Sequence, residues 1–416
     1  MLFPSAGARP LRAILYFSVA LALTPLTGQA ADSTAPAHPP LEWRKFETNN
    51  QFLAEGAAFG DLNRDNQIDA VAGPYWYEGP DFSQRHDLYP AVAFDPLQYS
   101  DNFLTFVHDF NADGWADVLV VGWPGKEAFW LENPHSVDGA WNRHLAFDSV
   151  DSESPALVSL LDEKNPVLIC MNGGRIGYAA PDPLNPTKPW TFHAITPPGS
   201  WHRYSHGLGS GDVNGDGRAD ILEKDGWWEQ PATLDGDPIW KKHAANFGDG
   251  GAQMYVYDVN ADGRADVITS INGHGYGLSW FEQLPGNDGS AFREHVITSR
   301  NPQEKISGVQ FSQLHAIALV DVDGDGLSDI VTGKRWWAHG PDKDPDPNGT
   351  PVLYAFLLRR SPDGTANFAP HLIDDASGVG TRIDATDLNH DGRADIISSN
   401  KRGTFVFVSQ LPHPTK

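Results

Sequence analysis

A single cysteine, Cys170, occurs among the 416 residues, so no internal disulfide can form whichever compartment the chain reaches. Cys170 lies in the apolar run 167–171 and is expected as a buried core residue rather than a reactive thiol. Positive charge is also scarce: 30 Lys and Arg stand against 54 Asp and Glu, a net charge of −24. That balance argues against nucleic acid or an anionic membrane surface as a partner. After residue 30 no apolar run is long enough to insert into a bilayer, and sustained helical periodicity is missing too. The chain is rich instead in Gly (41), Pro (32), Phe (21), Trp (14) and Tyr (11). Such a composition points to many short strands and turns around ample apolar material.

Residues 1–30 read as a secretory signal, with Arg9 and Arg12 before an apolar stretch from Ala13 to Leu26 and a small-residue site at Gly28-Gln29-Ala30. A membrane anchor is the competing reading, disfavoured because the run is short and broken by Pro25. Residues 31–40, rich in Pro, Ala and Ser, form a flexible lead-in. The protein is therefore expected to be secreted or periplasmic.

One acidic phrase recurs along the rest of the chain. It reads Asp61, Asn63, Asp65, Asp69; then Asp109, Asn111, Asp113, Asp117; then Asp212, Asn214, Asp216, Asp220; then Asp258, Asn260, Asp262, Asp266; then Asp321, Asp323, Asp325, Asp329; and finally Asp387, Asn389, Asp391, Asp395. A worn copy sits at Asp162, and the spacing between copies is 46 to 66 residues, so one unit is repeated seven times. Oxygens at positions one, three, five and nine of such a loop can converge on a hard cation, with a residue such as Gly217 supplying the tight turn. Calcium is the natural occupant of up to six sites, since magnesium demands a stricter octahedron and soft metals prefer Cys or His. An EF-hand is excluded because position twelve is Ala72, Val120, Thr269, Thr332 and Ser398 in five copies, and the following residues alternate as strands. Six bound dications would halve the net charge.

Each unit carries further landmarks. A strand follows the acidic loop, then a Gly-rich turn, then an aromatic strand ending near Pro, as in Trp130 to Pro134, Trp228 to Pro231 and Trp337 to Pro341. A fourth strand has an aromatic residue three before a histidine: His144, His193, His243, His295 and His371. Seven units of four strands predict an all-β fold, a seven-bladed β-propeller over residues 41–416 with calcium loops in its blades. The last unit stops after three strands, and the orphan strand from Leu41 to Phe46 completes it, leaving no free edge. Two tandem domains are the alternative, but no linker interrupts the period.

Histidines of the fourth strand recur in almost every unit, so they are structural. His206 and His315 break the pattern. Both lie six residues before a loop aspartate, at the upper end of the innermost strand, where other units have Glu55, Phe103, Ala252 and Thr381. His274 occupies a turn on the same face. The three come from consecutive units and are expected to converge on one sector of a central funnel as ligands of zinc or a similar divalent metal with an open position. The alternative is three separate rim histidines bonded to backbone. Lys334, Arg335, Lys401, Arg402 and Arg382 fall on that face with Tyr204, and a basic cluster in so acidic a chain suggests an oxygen-rich or anionic ligand. Trp227-Trp228 and Trp336-Trp337 are read as packing residues of third strands rather than sugar platforms.

The acidic loops and unit pattern resemble the FG-GAP and VCBS repeat propellers of secreted bacterial proteins over the whole mature chain. A narrower resemblance is carried by Ser205-His206-Gly207, His274 to Gln283, Phe311 to His315 with Gly333 to Pro341, and Ser377 to Gly380 with Asn400 to Gly403. These phrases are similar to the N-terminal propeller of the aldos-2-ulose dehydratase (1,5-anhydro-D-fructose dehydratase) group, metal-dependent lyases of keto sugars. That group carries cupin-type domains after its propeller, and the sequence here ends at Lys416, so any isomerase step located there is expected to be absent.

The resemblance implies a carbon–oxygen lyase acting by β-elimination on a keto sugar or related carbohydrate. His206, His274 and His315 would hold the metal, Lys334, Arg335 and Arg382 would stabilise developing negative charge, and Tyr204 would act as acid or base. A non-catalytic, calcium-stabilised propeller that binds carbohydrate or protein is the alternative. It predicts calcium alone and ligand binding indifferent to the three histidines.

Overall fold

Residues 41–161, 164–286 and 289–410 are described by a computed structural model, and every regular element among them is a β-strand. The expected signal and lead-in, the worn-loop residue Asp162 and the tail after Gln410 lie outside the described residues. No helix among the described residues is long and apolar enough to cross a membrane.

The strands follow the sequence repeat. Unit one is an antiparallel meander of Ala57–Gly60, Asp69–Ala72, Tyr75–Tyr77 and Arg85–Asp87. Unit two takes Leu104–His108, Asp117–Val121, Lys126–Glu132 and the first half of a long strand, Asn142–Val158. The second half of that strand opens unit three, which continues with Val167–Asn172, Arg175–Ala180 and Thr191–Ala194. Units four (Leu208–Gly211 to Lys241–Ala244) and five (Gln253–Tyr257 to Phe292–Thr298) share one sheet because their first strands pair in parallel, Gly209 opposite Met254. Unit six runs from Ile317–Val320 to Ala366–Asp374. In unit seven the fourth strand is Glu42–Asn49, paired antiparallel with Gly403–Gln410 as expected from the orphan N-terminal strand.

Among the described residues, seven hydrophobic clusters fill the seams between units. Trp76 and Leu131 join units one and two, Trp130 and Trp190 join two and three, and Trp228 and Tyr178 join three and four. Trp227 and Phe281 join four and five, Trp280 and Phe356 five and six, Val331 and Phe405 six and seven. Phe59 and Val406 join seven back to one. Each large side chain withdrawn from water contributes about 1.5–3 kcal/mol, so the aromatic of every third strand stabilises a seam. Cys170 is fully buried in the seam of units two and three, and burial pushes its thiol pKa up.

In units one, two, four and five the outer-strand histidine lies against the third-strand tryptophan and bonds the glutamate two residues after that tryptophan. His243 lies 3.9 Å from the Trp227 ring and 2.7 Å from Glu229, and His295 repeats this with Trp280 and Glu282. In unit one His86 does the same with Trp76 and Glu78.

Unit six corrects one strand assignment. Trp337 to Pro341 is not its third strand; Leu353–Arg360 is. Residues 334–352 form a long loop between its second and third strands, in which Trp337 has φ of +53° and Trp336 and Trp337 stack on each other at 5.3 Å. Those two rings therefore do not pack a strand seam.

The first strands of units two to seven surround a cavity of about 220 Å³ lined by Phe106, Leu157, Tyr255, Leu319 and Arg382. The six-before-aspartate positions lie just ahead of these strands and touch one another. Thr381 N donates to Glu55 O at 3.1 Å and its hydroxyl donates to Phe103 O. Glu55, Phe103, Ala252, His315 and Thr381 are all buried.

Candidate functional site

The acidic loops share one conformation. The first aspartate accepts backbone N–H groups from positions five and six, as Asp212 does from Asp216 and Gly217 at 3.1 and 2.8 Å. Positions four and six are both left-handed in all six loops: φ is +76° and +84° at Gly215 and Gly217, and +60° and +66° at Arg64 and Asn66. Glycine at position six was legible as a requirement of the turn. Position four is left-handed even where it is Arg64, Ala112, Ala261 or His390, and the side-chain oxygens at positions one and three that bind the next N–H groups hold it there.

Asp321, Asp323 and Asp325 bring their carboxylates together as a group able to hold a cation. Position nine is placed differently. Asp329 accepts from Val322 N at 3.0 Å with one oxygen and from Leu358 N at 2.7 Å with the other. Asp69, Asp117, Asp220, Asp266 and Asp395 make the same two bonds. These aspartates clamp loop to third strand, which leaves positions one, three and five to face a cation. Burial raises their carboxyls, to about 7 for Asp69, Asp117 and Asp329 and to about 6 for Asp220, Asp266 and Asp395. In most loops a cationic side chain also reaches position five. Arg218 pairs with Asp216, Arg264 with Asp262, Arg393 with Asp391 at 2.7 Å, and Arg359 with Asp325 at 2.9 Å.

His206, His274 and His315 do converge, and a fourth residue, Glu153, joins them. His206 precedes the first strand of unit four, His315 that of unit six, and His274 sits in the turn between the second and third strands of unit five. A Cβ on Gly273 would lie 2.8 Å from His206 Cδ2, so glycine there allows the two units to approach. Glu153 arrives through an irregularity in the long strand 142–158. Ser152 has φ of +88°, and Glu153 N leaves its own sheet to donate to Ser205 O at 2.8 Å, next to His206.

His206 Nε2 and His315 Nε2 are 3.2 Å apart. Glu153 Oε2 lies 3.0 Å from His315 Nε2 and 3.5 Å from His206 Nε2. Ligand bonds of about 2.0–2.1 Å in a tetrahedron require ligand atoms about 3.3–3.4 Å apart, so these three atoms fit one divalent metal. His206 Nδ1–H donates to Tyr204 O at 3.0 Å, which leaves the Nε2 lone pair facing the cluster. The Nδ1 atoms of His274 and His315 are buried without a hydrogen-bond partner.

Electrostatics hold the His274 and His315 imidazoles neutral and the Glu153 carboxylate charged. Burial, reinforced by the Arg335 charge, lowers His315 to about 3. His274 is lowered by burial and by the neighbouring histidines and Arg335. Burial alone would raise Glu153, but its contacts with the His206 and His315 rings outweigh it and hold the carboxyl well below its usual range. A neutral imidazole set with an ionised carboxylate is the protonation state that binds a metal. Arg335 is buried beside it, 2.6 Å from Glu55 and 3.6 Å from Glu153.

The other sequence candidates are placed as follows. Lys334 Nζ turns to Ser312 Oγ at 2.6 Å, and burial lowers it to about 8. Lys401 donates to Trp337 O at 2.9 Å and lies 4.8 Å over the Tyr99 ring, lowered by burial to about 8. Arg402 donates to Ala376 O at 2.9 Å and lies 4.9 Å over the Trp336 ring. The Tyr204 ring is half-exposed and packs toward Trp123 at 6.4 Å, so its backbone rather than its phenol meets His206. Arg382 lines the cavity below, bonded to Ala57 O at 2.7 Å and Asp384 at 2.9 Å. Sequence reading missed Glu153, because the worn loop of unit three removes the register that marked the other positions. His339 and Asp344, which group with His274, were hidden in the unit-six loop.

No family model matches the chain, and no curated protein does. Among solved structures the chain is similar to the exotype rhamnogalacturonan lyase YesX, at 11% identity and a TM-score of 0.46 over 89% of this chain and 74% of that one. It is similar also to an auxiliary nutrient binding protein from Bacteroides ovatus, at 8% identity and 0.46 over 89% and 78%. A Tc holotoxin pore from Photorhabdus luminescens aligns at 14% identity and a TM-score of 0.39 over 90% of this chain, which spans 15% of that chain's length.

Proposed function

We propose that the seven units are the blades of a β-propeller over residues 41–416, and that the protein is a secreted or periplasmic lyase that eliminates water or another group from a keto sugar at the His206–His274–His315–Glu153 cluster. The observation that carries this reading is the 3.0–3.5 Å spacing of His206 Nε2, His315 Nε2 and Glu153 Oε2. The seven interfacial clusters, one of which joins the last unit to the first, support the blade arrangement. Calcium at up to six acidic loops is structural.

Zinc or a similar ion, when held by these four residues, polarises a carbonyl as a Lewis acid. The residues around it supply the rest. Elimination needs a proton removed from the carbon α to the carbonyl, its electron pair forming the new C=C bond while the β C–O bond breaks and the leaving oxygen takes a proton. Arg335, aimed by Glu55 and buried where its charge is little screened, stabilises the enediolate oxygen. Lys401, held at about 8, and Tyr204 at the rim are the groups to move the two protons. Lys334 and Arg382 contribute positive charge from outside the cluster.

Incubating metal-replete protein with 1,5-anhydrofructose and with 2- and 3-keto glucosides should give an enone, followed by its ultraviolet absorbance. No product from any of these would favour a calcium-stabilised module that binds carbohydrate or protein. That second reading rests on Glu153, which His315 already satisfies by hydrogen bonding at 3.0 Å.

A further inference from the structure

The His274 ring faces two groups. One side meets His206 and His315, with ring centroids 4.8 and 5.1 Å away, and the other meets His339 at 4.4 Å. Its Nδ1 is buried without a hydrogen bond and lies 3.8 Å from Asp344 Oδ1. Asp344 is itself fixed. His339 donates to it twice, from its backbone N to Oδ2 and from Nδ1 to Oδ1, both at 2.9 Å. Only 6% of the Asp344 side chain is exposed. Both residues belong to the 334–352 loop, the insertion that sets unit six apart from its neighbours.

An imidazole that binds a cation through Nε2 must carry its proton on Nδ1, and a buried N–H without an acceptor costs about 1–3 kcal/mol. His206 meets that need with the Tyr204 carbonyl. His274 has no acceptor at bonding distance, but a carboxylate stands about 1 Å beyond the usual hydrogen-bond length.

We propose that Asp344, held by His339, is the positioning residue of His274: it accepts the Nδ1–H and so directs the Nε2 lone pair into the Glu153–His206–His315 cluster. The inference rests on the metal reading of that cluster. Metal-bound histidines commonly donate their second N–H to a carboxylate, and loss of that partner weakens binding by 10–100-fold. A second cation shared by His274, His339 and Asp344 is the rival arrangement. It is opposed by the Asp344 oxygen nearest His274, which already accepts the His339 Nδ1–H at 2.9 Å.

The test uses the full chain, calcium-replete and stripped of transition metal, with zinc affinity measured by chelator competition for wild type, Asp344→Ala and Asp344→Glu. Wild type is expected to take one tight zinc equivalent, Asp344→Ala to bind it about 10–100-fold more weakly, and Asp344→Glu to recover part of the loss. Histidine nitrogen shifts of the metal-free protein should show His274 protonated on Nδ1 in wild type and a tautomer mixture in Asp344→Ala. Unchanged zinc affinity in Asp344→Ala, or a second zinc equivalent lost with Asp344, would overturn the proposal. Zinc uptake by neither protein would sink the metal reading, and an unchanged His274 tautomer would then overturn the role of Asp344 separately. Melting curves identify a variant that has merely unfolded, in which case Asp344→Asn replaces Asp344→Ala.

Discussion

His206 Nε2 and His315 Nε2 lie 3.2 Å apart although 109 residues separate them. Neither residue is required by the repeat, since the same register holds Glu55, Phe103, Ala252 and Thr381 elsewhere. Two lone pairs that share so small a space need a common proton or a common cation.

Substituting His206, His274 or His315 by Ala should remove one equivalent of bound transition metal. His243→Ala should not. It deletes a ring stacked on Trp227 and bonded to Glu229, and should cost about 1–3 kcal/mol in denaturant unfolding without changing metal content. Equal metal content in wild type and all three site variants would contradict the assignment.

Calcium should stabilise the fold by linkage, because it binds the native loops and not the unfolded chain. At a hundredfold excess over the dissociation constant each site adds about 2.7 kcal/mol. Chelation should lower the melting temperature, and Asp216→Ala should reproduce part of that drop in unit four, where Arg218 would lose its partner as well. A melting curve indifferent to chelation would rule out the calcium role.

Arg335 and Glu55 are both 2% exposed and 2.6 Å apart. Arg335→Met leaves a buried carboxylate without its cation and should cost about 3–5 kcal/mol, read from urea unfolding, whereas Arg335→Lys should recover part of the loss. A cost below about 1 kcal/mol would mean that water reaches Glu55.

Acid should weaken the metal-free protein in a defined window. His315 is lowered by burial to about 3, against 6.5 for the unfolded chain, so between those values the unfolded state binds more protons. Its contribution is full above pH 6.5 and is lost as pH falls toward 3, and Glu153, whose folded pKa is also depressed, acts in the same direction. His315→Gln should flatten the decline of melting temperature over that range; an unchanged slope would show that His315 is not held neutral.

Repetition made the all-β units legible, because six acidic loops and their following strands carry the same residues at the same offsets. The site was legible where it departs from repetition: His206 and His315 stand out against their own register. Glu153 could not be found that way, since unit three lacks an intact loop and the residue enters through a bulge at Ser152. Asp344 and His339 were hidden for another reason. Trp336-Trp337 followed by Pro341 imitates the aromatic strand of other units, while the true third strand begins at Leu353. The inward clamp of the ninth-position aspartates was missed because a carboxylate that caps two backbone N–H groups has the same sequence signature as one that binds calcium.

Anomalous diffraction at the zinc edge, from crystals of stripped protein reloaded with one zinc equivalent, tests the central claim most directly. The account predicts one strong peak within bonding distance of His206 Nε2, His315 Nε2, Glu153 Oε2 and the His274 ring. No peak there, or zinc found only in the acidic loops, would contradict it.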